Sequence, residues 1–322
     1  MYFCIANPVS RSGNTGAEAR KLQAVLNAQH LPSTICYTKG PGDAGRIAGR
    51  IAAEAAEKKE DADIVIFGGD GTINEVVSGI SDFRYIRIGI VPVGSGNDMA
   101  RGLGLPKDNH RLFARIAEGA VQRTIDLGHI HYDRFAGKAA RGHNGEIRED
   151  IYFANGSGIG YDAAVCEEVN ATATKGILNR LGLGKASYGL IALKQLLGVR
   201  KTACDIVTDD GREFHFDNVF FACAMNCSHQ GGGYCFAPDA DPSDGLMNVT
   251  VVGNLTKIRA LMCFPKAAKG ELAGTHGITQ FTCRKMKVRT GRPLWLQTDG
   301  EVQMQTDAAT FEMLPQKIRL IV

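Results

Sequence analysis

Two glycine-rich segments and two groups of carboxylates are the parts of this 322-residue sequence best suited to chemistry. Gly68-Gly69-Asp70-Gly71-Thr72-Ile73-Asn74-Glu75 follows an apolar run and opens an amphipathic stretch. At the C-terminal end of a parallel strand, such a segment lets backbone approach a ligand, and amides at the next helix start can face phosphate oxygens. Thr72 is placed to cap that helix and donate a hydroxyl, and Asp70 to meet a magnesium ion. A tight turn with an Asp cap would need one glycine, not three. Pro92-Val93-Gly94-Ser95-Gly96-Asn97-Asp98 repeats the logic after another apolar run, as does Asn7-Pro8-Val9-Ser10-Arg11 after the first. The C-terminal ends of parallel strands share one sheet edge, so the three loops can converge on one nucleotide.

The carboxylates sit further along. Asp239, Asp241 and Asp244 lie in a Pro/Gly-rich loop, Phe236–Leu246. Oxygen ligands of this kind suit a hard cation such as Mg²⁺, although loop acids are as readily just solvated. Asp299-Gly300-Glu301 follows the apolar run Leu294–Thr298 and could be a turn or a catalytic pair. Asp126 stands in Ile125-Asp126-Leu127-Gly128.

These loops need elements to hold them. Tyr2–Ala6, Ser33–Thr38, Asp63–Phe67 and Arg87–Val91 read as strands. They alternate with helical patterns over Asn14–Gln29, Asp43–Lys59, Thr72–Ile80 and His110–Gly119. That rhythm predicts a parallel α/β domain over residues 1–127. From Ile130 to Asp150 the chain is polar and reads as a hairpin or long loop. Ile151–Asn155, Cys204–Thr208, Glu213–Phe216, Val219–Met225, Met247–Val252, Gln280–Val288 and Leu294–Thr298 read as strands. A single helix, about Leu183–Leu197, interrupts them, so a mainly antiparallel β-sandwich is expected over 128–309. Thr310–Val322 reads as two more strands that can return to the first domain.

Composition narrows the class. Hydrophobic residues at 44% and charged residues at 22% are those of a globular protein, which excludes disordered, collagen-like and coiled-coil chains. A net charge of +3 gives no argument for nucleic acid. No apolar run reaches the ~18–20 residues that span a bilayer. The N-terminus has no basic n-region and reads as a first strand, not a signal peptide. The nine cysteines are scattered without a Cys-x-x-Cys pair, as in a reducing, cytoplasmic setting. Gly40-Pro41-Gly42-Asp43-Ala44-Gly45 matches a dinucleotide fingerprint, but the acid that should close the following strand is Asp63, which opens it. No Walker A pattern occurs.

Asn7-Pro8, Gly68–Thr72, Val91–Asp98, Ala237–Ala240 with Asp244-Gly245, and Asp299-Gly300-Glu301 together resemble the bacterial diacylglycerol kinase family. These soluble lipid kinases share a catalytic domain with sphingosine and ceramide kinases. The likeness runs in order over nearly the whole chain, whereas the Gly-Gly-Asp-Gly loop alone also resembles NAD kinases and phosphofructokinases. The resemblance implies a nucleotide-binding α/β domain followed by a β-sandwich, with the active site between them. It implies ATP held by Asn7, Pro8, Val9, Ser10, Arg11, Thr38, Gly68, Gly69, Asp70, Gly71, Thr72, Ile73, Asn74 and Ser95. It implies a structural Mg²⁺ on the Asp244 side chain and the carbonyls of Asp241 and Leu246; the family often has an acid where this chain has Ser243. It makes Glu301 the base for the lipid hydroxyl, with Asp299, Asp70 and Asp126 supporting the Mg²⁺ and phosphate chemistry. Lys175 or Arg180 could supply a further basic residue.

From Val169 to Cys204 six basic residues (Lys175, Arg180, Lys185, Lys194, Arg200, Lys201) interleave with leucines and no acid occurs. Such a segment fits either a core helix with a solvated basic face or peripheral docking on an anionic membrane. The expectation is a cytoplasmic, peripherally membrane-associated, ATP- and Mg²⁺-dependent lipid kinase, converting diacylglycerol to phosphatidic acid. The resemblance leaves a homodimer open. The rivals are another lipid alcohol (sphingosine, ceramide or phosphatidylglycerol), a kinase of NAD, and a nucleotide-binding regulator without catalysis.

Overall fold

Continuous apolar runs make the first sheet, because strands covered on both faces have no side to give to polar residues. The computed structural model describes residues 1–8, 15–141, 146–171 and 184–322. The chain forms two units: Met1–Leu127 with Pro242–Gly245 and Leu314–Val322, and Gly128–Asp241 with Leu246–Met313.

In the first unit, β1 (Tyr2–Ala6), α1 (Thr15–Ala28), β2 (Ser33–Tyr37), α2 (Asp43–Lys58), β3 (Ala62–Gly68), α3 (Asp70–Gly79) and β4 (Ile86–Pro92) alternate. The short α4 (Asp98–Gly102) and α5 (Asn109–Glu118) follow. The strands are parallel in the order β2-β1-β3-β4, so the direction of winding reverses between β1 and β3. Ligands of open α/β sheets bind outside the strand C-termini at such a reversal. At the opposite end of the sheet, Asp63 pairs in register with Arg87 through two bonds of 2.6 and 2.8 Å. That pairing removes Asp63 from any ribose-binding role.

The dinucleotide-like glycines serve helix packing. A Cβ on Gly45 would stand 2.6 Å from the Glu75 carbonyl oxygen, and one on Gly79 would stand 2.2 Å from the Gly45 oxygen. Gly49 meets the Gly79 oxygen in the same way. These glycines let α2 lie directly on α3, and the Glu75 carboxylate accepts the Ala44 amide at 3.1 Å.

The second unit contains the rest of β5 (Arg123–Arg134), β6 (Asp150–Phe153), β7 (Gly156–Gly160), α6 (Tyr161–Ala171), α7 (Gly184–Gly198), β8 (Thr202–Thr208) and β9 (Glu213–Met225). The two-residue strands β10 (His229–Gln230) and β11 (Tyr234–Cys235) follow. After them come β12 (Met247–Gly253), α8 (Lys257–Lys269), β13 (Ile278–Cys283), β14 (Lys285–Thr298) and β15 (Glu301–Leu320). The long strands β9 and β14 lie one place apart. β8 fills the gap between their first halves and β7 between their second halves, all antiparallel. Ile206, Val288, Leu296, Phe311 and their neighbours form the enclosed core.

Of the two forms expected for Ile130–Asp150, the hairpin is the one formed: β5 pairs antiparallel with β6, with Ile130 opposite Ile151 and His131 opposite Asp150, and Ile130 and Tyr132 are buried while His129, His131 and Asp133 alternate outward. The chain departs from its sequence reading in three places. The second unit has three described helices, not one, with α6 and α8 added. The expected strand Gln280–Val288 breaks at Arg284, where the chain leaves β12 and joins β8 and β15, and Leu294–Thr298 continues β14. The C-terminal segment is one strand: β15 runs antiparallel to β14 as far as Glu312, and its end runs parallel to β4 at Arg319 and Leu320. Pro315 lies beyond the last β14 partner, so its missing N–H interrupts no bond of that ladder.

Replacing a glycine of unstrained backbone by alanine, where the methyl has room, ordinarily stabilises by up to about 1 kcal/mol. Gly79→Ala should do the reverse and cost roughly 1–3 kcal/mol by forcing α2 off α3. Gly40→Ala, with open space around it, should be near neutral. Urea unfolding of both variants checks the contrast.

Candidate functional site

The glycine loops of the first unit meet backbone to backbone. A Cβ on Gly94 would lie 2.5 Å from the Gly69 Cα, and one on Gly69 3.1 Å from the Gly94 Cα. The Val93 amide donates to the Gly68 carbonyl at 3.1 Å. Gly68 leaves room for Thr72, whose Cβ a side chain there would meet at 2.5 Å. At the reversal between β1 and β3, Asn7 Nδ2 donates to Thr72 Oγ1 at 3.5 Å. Thr38, buried after β2, donates its amide to Ala6 at 3.0 Å. Asn7, Thr38, the β3–α3 loop and the β4–α4 loop therefore stand on one sheet edge.

Asp70 holds these loops together. Its two carboxylate oxygens accept the amides of Asp98 and Met99, each at 3.2 Å, so it caps α4 from the neighbouring loop. A Cβ on Gly96 would come within 3.0 Å of the same carboxylate. Thr72 does not cap α3 as expected. The N-cap is Gly69 without a side-chain bond, because Thr72 already lies inside the helix. The amides of Thr72 and Ile73 both donate to the Gly69 carbonyl, so Asp70 and Gly71 supply the α3 amides that can face a phosphate. Ile73 and Asn74 are buried, whereas Ser95 is exposed at the tip of its loop. Pro8 is exposed beside Asn7; Val9, Ser10 and Arg11 lie outside the described residues, as do Lys175 and Arg180.

Asp126 is fully buried on β5 and acts on the acidic loop. Its Oδ2 accepts the Gly245 amide at 2.7 Å, and its own amide donates to Pro242 at 2.7 Å. Arg123 adds a bond to Ser243 Oγ at 3.1 Å. Asp241 and Asp244 are exposed, with Leu246 partly so. Among the described residues no group of three or more His, Cys, Asp or Glu side chains gathers as a metal cluster. The Asp241–Leu246 loop offers a different donor set, one carboxylate with backbone carbonyls. Its all-oxygen chemistry fits Mg²⁺.

In the second unit Asp299-Gly300 is the two-residue turn between β14 and β15. Both residues have positive φ, 49° and 92°, and Thr298 pairs with Glu301 across it, as a type I′ hairpin requires. The Asp299 carboxylate is buried and accepts three amides: Ala154 at 2.9 Å, Asn155 at 3.0 Å and Gly156 at 2.9 Å. Gly300 is held from both sides, its amide by Gln297 Oε1 at 2.7 Å and its carbonyl by Asn170 Nδ2 at 3.0 Å. Glu301 is the exposed carboxylate of the motif.

Sequence reasoning missed the layer beneath this turn. Gln297 is fully buried, and its Nε2 donates to Asp162 Oδ2 at 3.2 Å. Asp162 folds back over β7 so closely that a Cβ on Gly158 would overlap its carboxylate, at 1.7 Å. The available signals were a glutamine inside an apolar strand and an acid two residues after the glycine-rich Gly156–Gly160.

Burial pushes the Asp162 carboxyl up to about 6. The unfolded value is about 4, so between these two values the folded protein holds a proton that the unfolded chain has lost. Stability from this group is therefore greatest at low pH and falls as pH rises through the window. Asp162→Asn cannot titrate. Its stability relative to wild type should rise by roughly 2–3 kcal/mol from about pH 4 to about pH 7. Urea unfolding at both pH values measures this, and a constant difference would contradict it.

Residues 1–130 match the diacylglycerol kinase catalytic domain, and residues 157–322 match the YegS C-terminal NAD kinase beta sandwich-like domain. The diacylglycerol kinase of Mycobacterium tuberculosis is 29% identical over 266 residues, covering 83% of this chain and 77% of that one. The diacylglycerol kinase of Bacillus subtilis is 29% identical over 284 residues, covering 88% and 83%. A crystal structure of a diacylglycerol kinase from Bacillus anthracis shares the fold, with a TM-score of 0.66 at 20% identity over 99% of this chain and 96% of that one. The chain therefore belongs to the bacterial diacylglycerol kinase family and is a lipid kinase.

Proposed function

We propose that this lipid kinase transfers the γ-phosphoryl group of ATP to the free hydroxyl of diacylglycerol, giving phosphatidic acid and ADP. The observation that carries the reading is the division of labour in the Asp299-Gly300-Glu301 turn. Asp299 is committed to three amides, and the adjacent Glu301 is the exposed carboxylate. Phosphoryl transfer needs positioning, charge neutralisation and a group that receives the proton of the attacking hydroxyl. Glu301 takes that proton as the oxygen–phosphorus bond forms and the bond to ADP breaks. Asn7, Thr38, Gly68–Asn74 and Ser95 hold the nucleotide, and Asp70 keeps the two glycine loops in register for it. Mg²⁺ supplies neutralisation of phosphate charge, and a structural ion fits Asp244 with the carbonyls of Asp241 and Leu246. Asp126 steadies that loop through Gly245.

Access to the substrate is peripheral in this reading. No described helix is long and apolar enough to cross a membrane. The basic segment expected to face the bilayer is thinner than its sequence. Lys194 pairs with Glu168, an acid just outside the segment, and Lys201 donates to the Leu255 carbonyl at 3.0 Å over the Phe220 ring. The side chain of Lys185 lies outside the described residues.

Radiolabelled ATP and a panel of diacylglycerol, sphingosine, ceramide and phosphatidylglycerol in mixed micelles, with NAD as soluble control, tests the proposal. The expected product is phosphatidic acid, and label in another lipid or in NAD alone overturns the substrate. On the preferred lipid, Glu301→Gln should lower kcat by about 10²–10⁴-fold with nucleotide affinity unchanged.

A further inference from the structure

Of the large apolar side chains that the described residues expose, the four most exposed lie on two helices: Leu190 at 69%, Ile258 at 68%, Met262 at 66% and Leu197 at 65%. The next is Met1, at 51%. Leu193 on α7 and Leu261 on α8 extend the same stripes. On α7, positions 190, 193 and 197 share a face, and on α8, positions 258, 261 and 262 do. The opposite faces of both helices rest on one core cluster, through Leu196 and Ile191 of α7 and Ala260 and Phe264 of α8. Lys257 Nζ donates to the Leu197 carbonyl, so the start of α8 abuts the end of α7. The two apolar stripes are therefore neighbours turned away from the core.

Charge decides what covers them. Neither α7 nor α8 contains an acid, and α8 carries Lys257, Arg259, Lys266 and Lys269. Arg259, Lys266 and Lys269 are exposed, and Arg200 is exposed just after α7. Beside the α8 stripe a recess of about 380 Å³ is lined by Leu255, Met262 and Cys263 together with Arg259, Lys266, Thr275 and His276. Apolar side chains that protrude, flanked by exposed cations, match an anionic bilayer, which has acyl chains below and phosphates at the surface.

We propose that α8, with the outward face of α7, is the membrane-docking platform of this kinase. Ile258, Leu261 and Met262 enter the headgroup–acyl boundary, while Arg259, Lys266 and Lys269 meet lipid phosphates. The purpose of this surface rests on the proposed membrane-borne substrate, but the binding itself needs no substrate and is measured without it.

The test uses the full chain and sedimentation with vesicles of phosphatidylcholine alone or mixed with phosphatidylglycerol. Wild type should bind the anionic vesicles, and raised salt should weaken the binding. Ile258→Ser/Leu261→Ser/Met262→Ser should lower partitioning roughly 100-fold, about fivefold per side chain. Arg259→Gln/Lys266→Gln/Lys269→Gln should lower it by a similar factor at low salt. Both variants should keep the wild-type melting temperature and the wild-type turnover of a short-chain soluble diacylglycerol. Absence of vesicle binding by wild type, or variants that bind as well as wild type, would overturn the proposal. So would a wild-type dimer that the apolar variant splits while vesicle binding persists, because a second copy would then cover the face. Failure of the substrate assignment alone would leave the vesicle binding intact.

Discussion

The second unit is organised around one buried carboxylate. Asp299 occupies a left-handed position that few residues other than glycine tolerate, and its side chain accepts three consecutive amides from the β6–β7 link. Charge-assisted bonds of this kind are stronger than neutral ones, and three of them offset the cost of removing the charge from water. They fix the end of the β14–β15 hairpin, and with it the place of Glu301. The pair Gln297 and Asp162 supports the same turn from below, with Gln297 oriented between the Gly300 amide and the Asp162 carboxylate.

The first unit solves a related problem with small residues. Its two glycine loops touch through Gly69 and Gly94, a distance no side chain would permit, and Asp70 spans them by capping α4. Asp70 therefore positions the two loops through its bonds to the Asp98 and Met99 amides.

Much of this was legible in the sequence, for physical reasons. The buried strands β3 and β4 read as apolar runs, and the glycines after them read as close approach. Asp299-Gly300-Glu301 could be read as a turn or as a catalytic pair, and the turn is what forms, with positive φ at Asp299 and Gly300. What was not legible depends on distant contacts. Asp162 and Gln297 lie 135 residues apart in sequence and meet only through the fold. The helix α8 was hidden by Pro265, although Thr256 caps its start and Gly270, at a φ of 75°, ends it. The dinucleotide-like glycines could be set aside from the position of Asp63, but their use in packing α2 on α3 emerged only from the structure. The acid-free stretch from Val169 to Cys204 hid the ion pair of Lys194, because its partner Glu168 stands one residue outside it.

The central claim is that Asp299 acts by holding Glu301 in place for proton transfer. Asp299→Asn tests it most directly, because the amide replaces one acceptor oxygen with a donor that faces backbone N–H groups. Steady-state turnover and nucleotide affinity should be measured on the same folded preparation. The account predicts a fall in kcat of ~10²-fold or more, as displacement of a reacting group by about 1 Å produces, with nucleotide affinity unchanged. Turnover near that of wild type would contradict it.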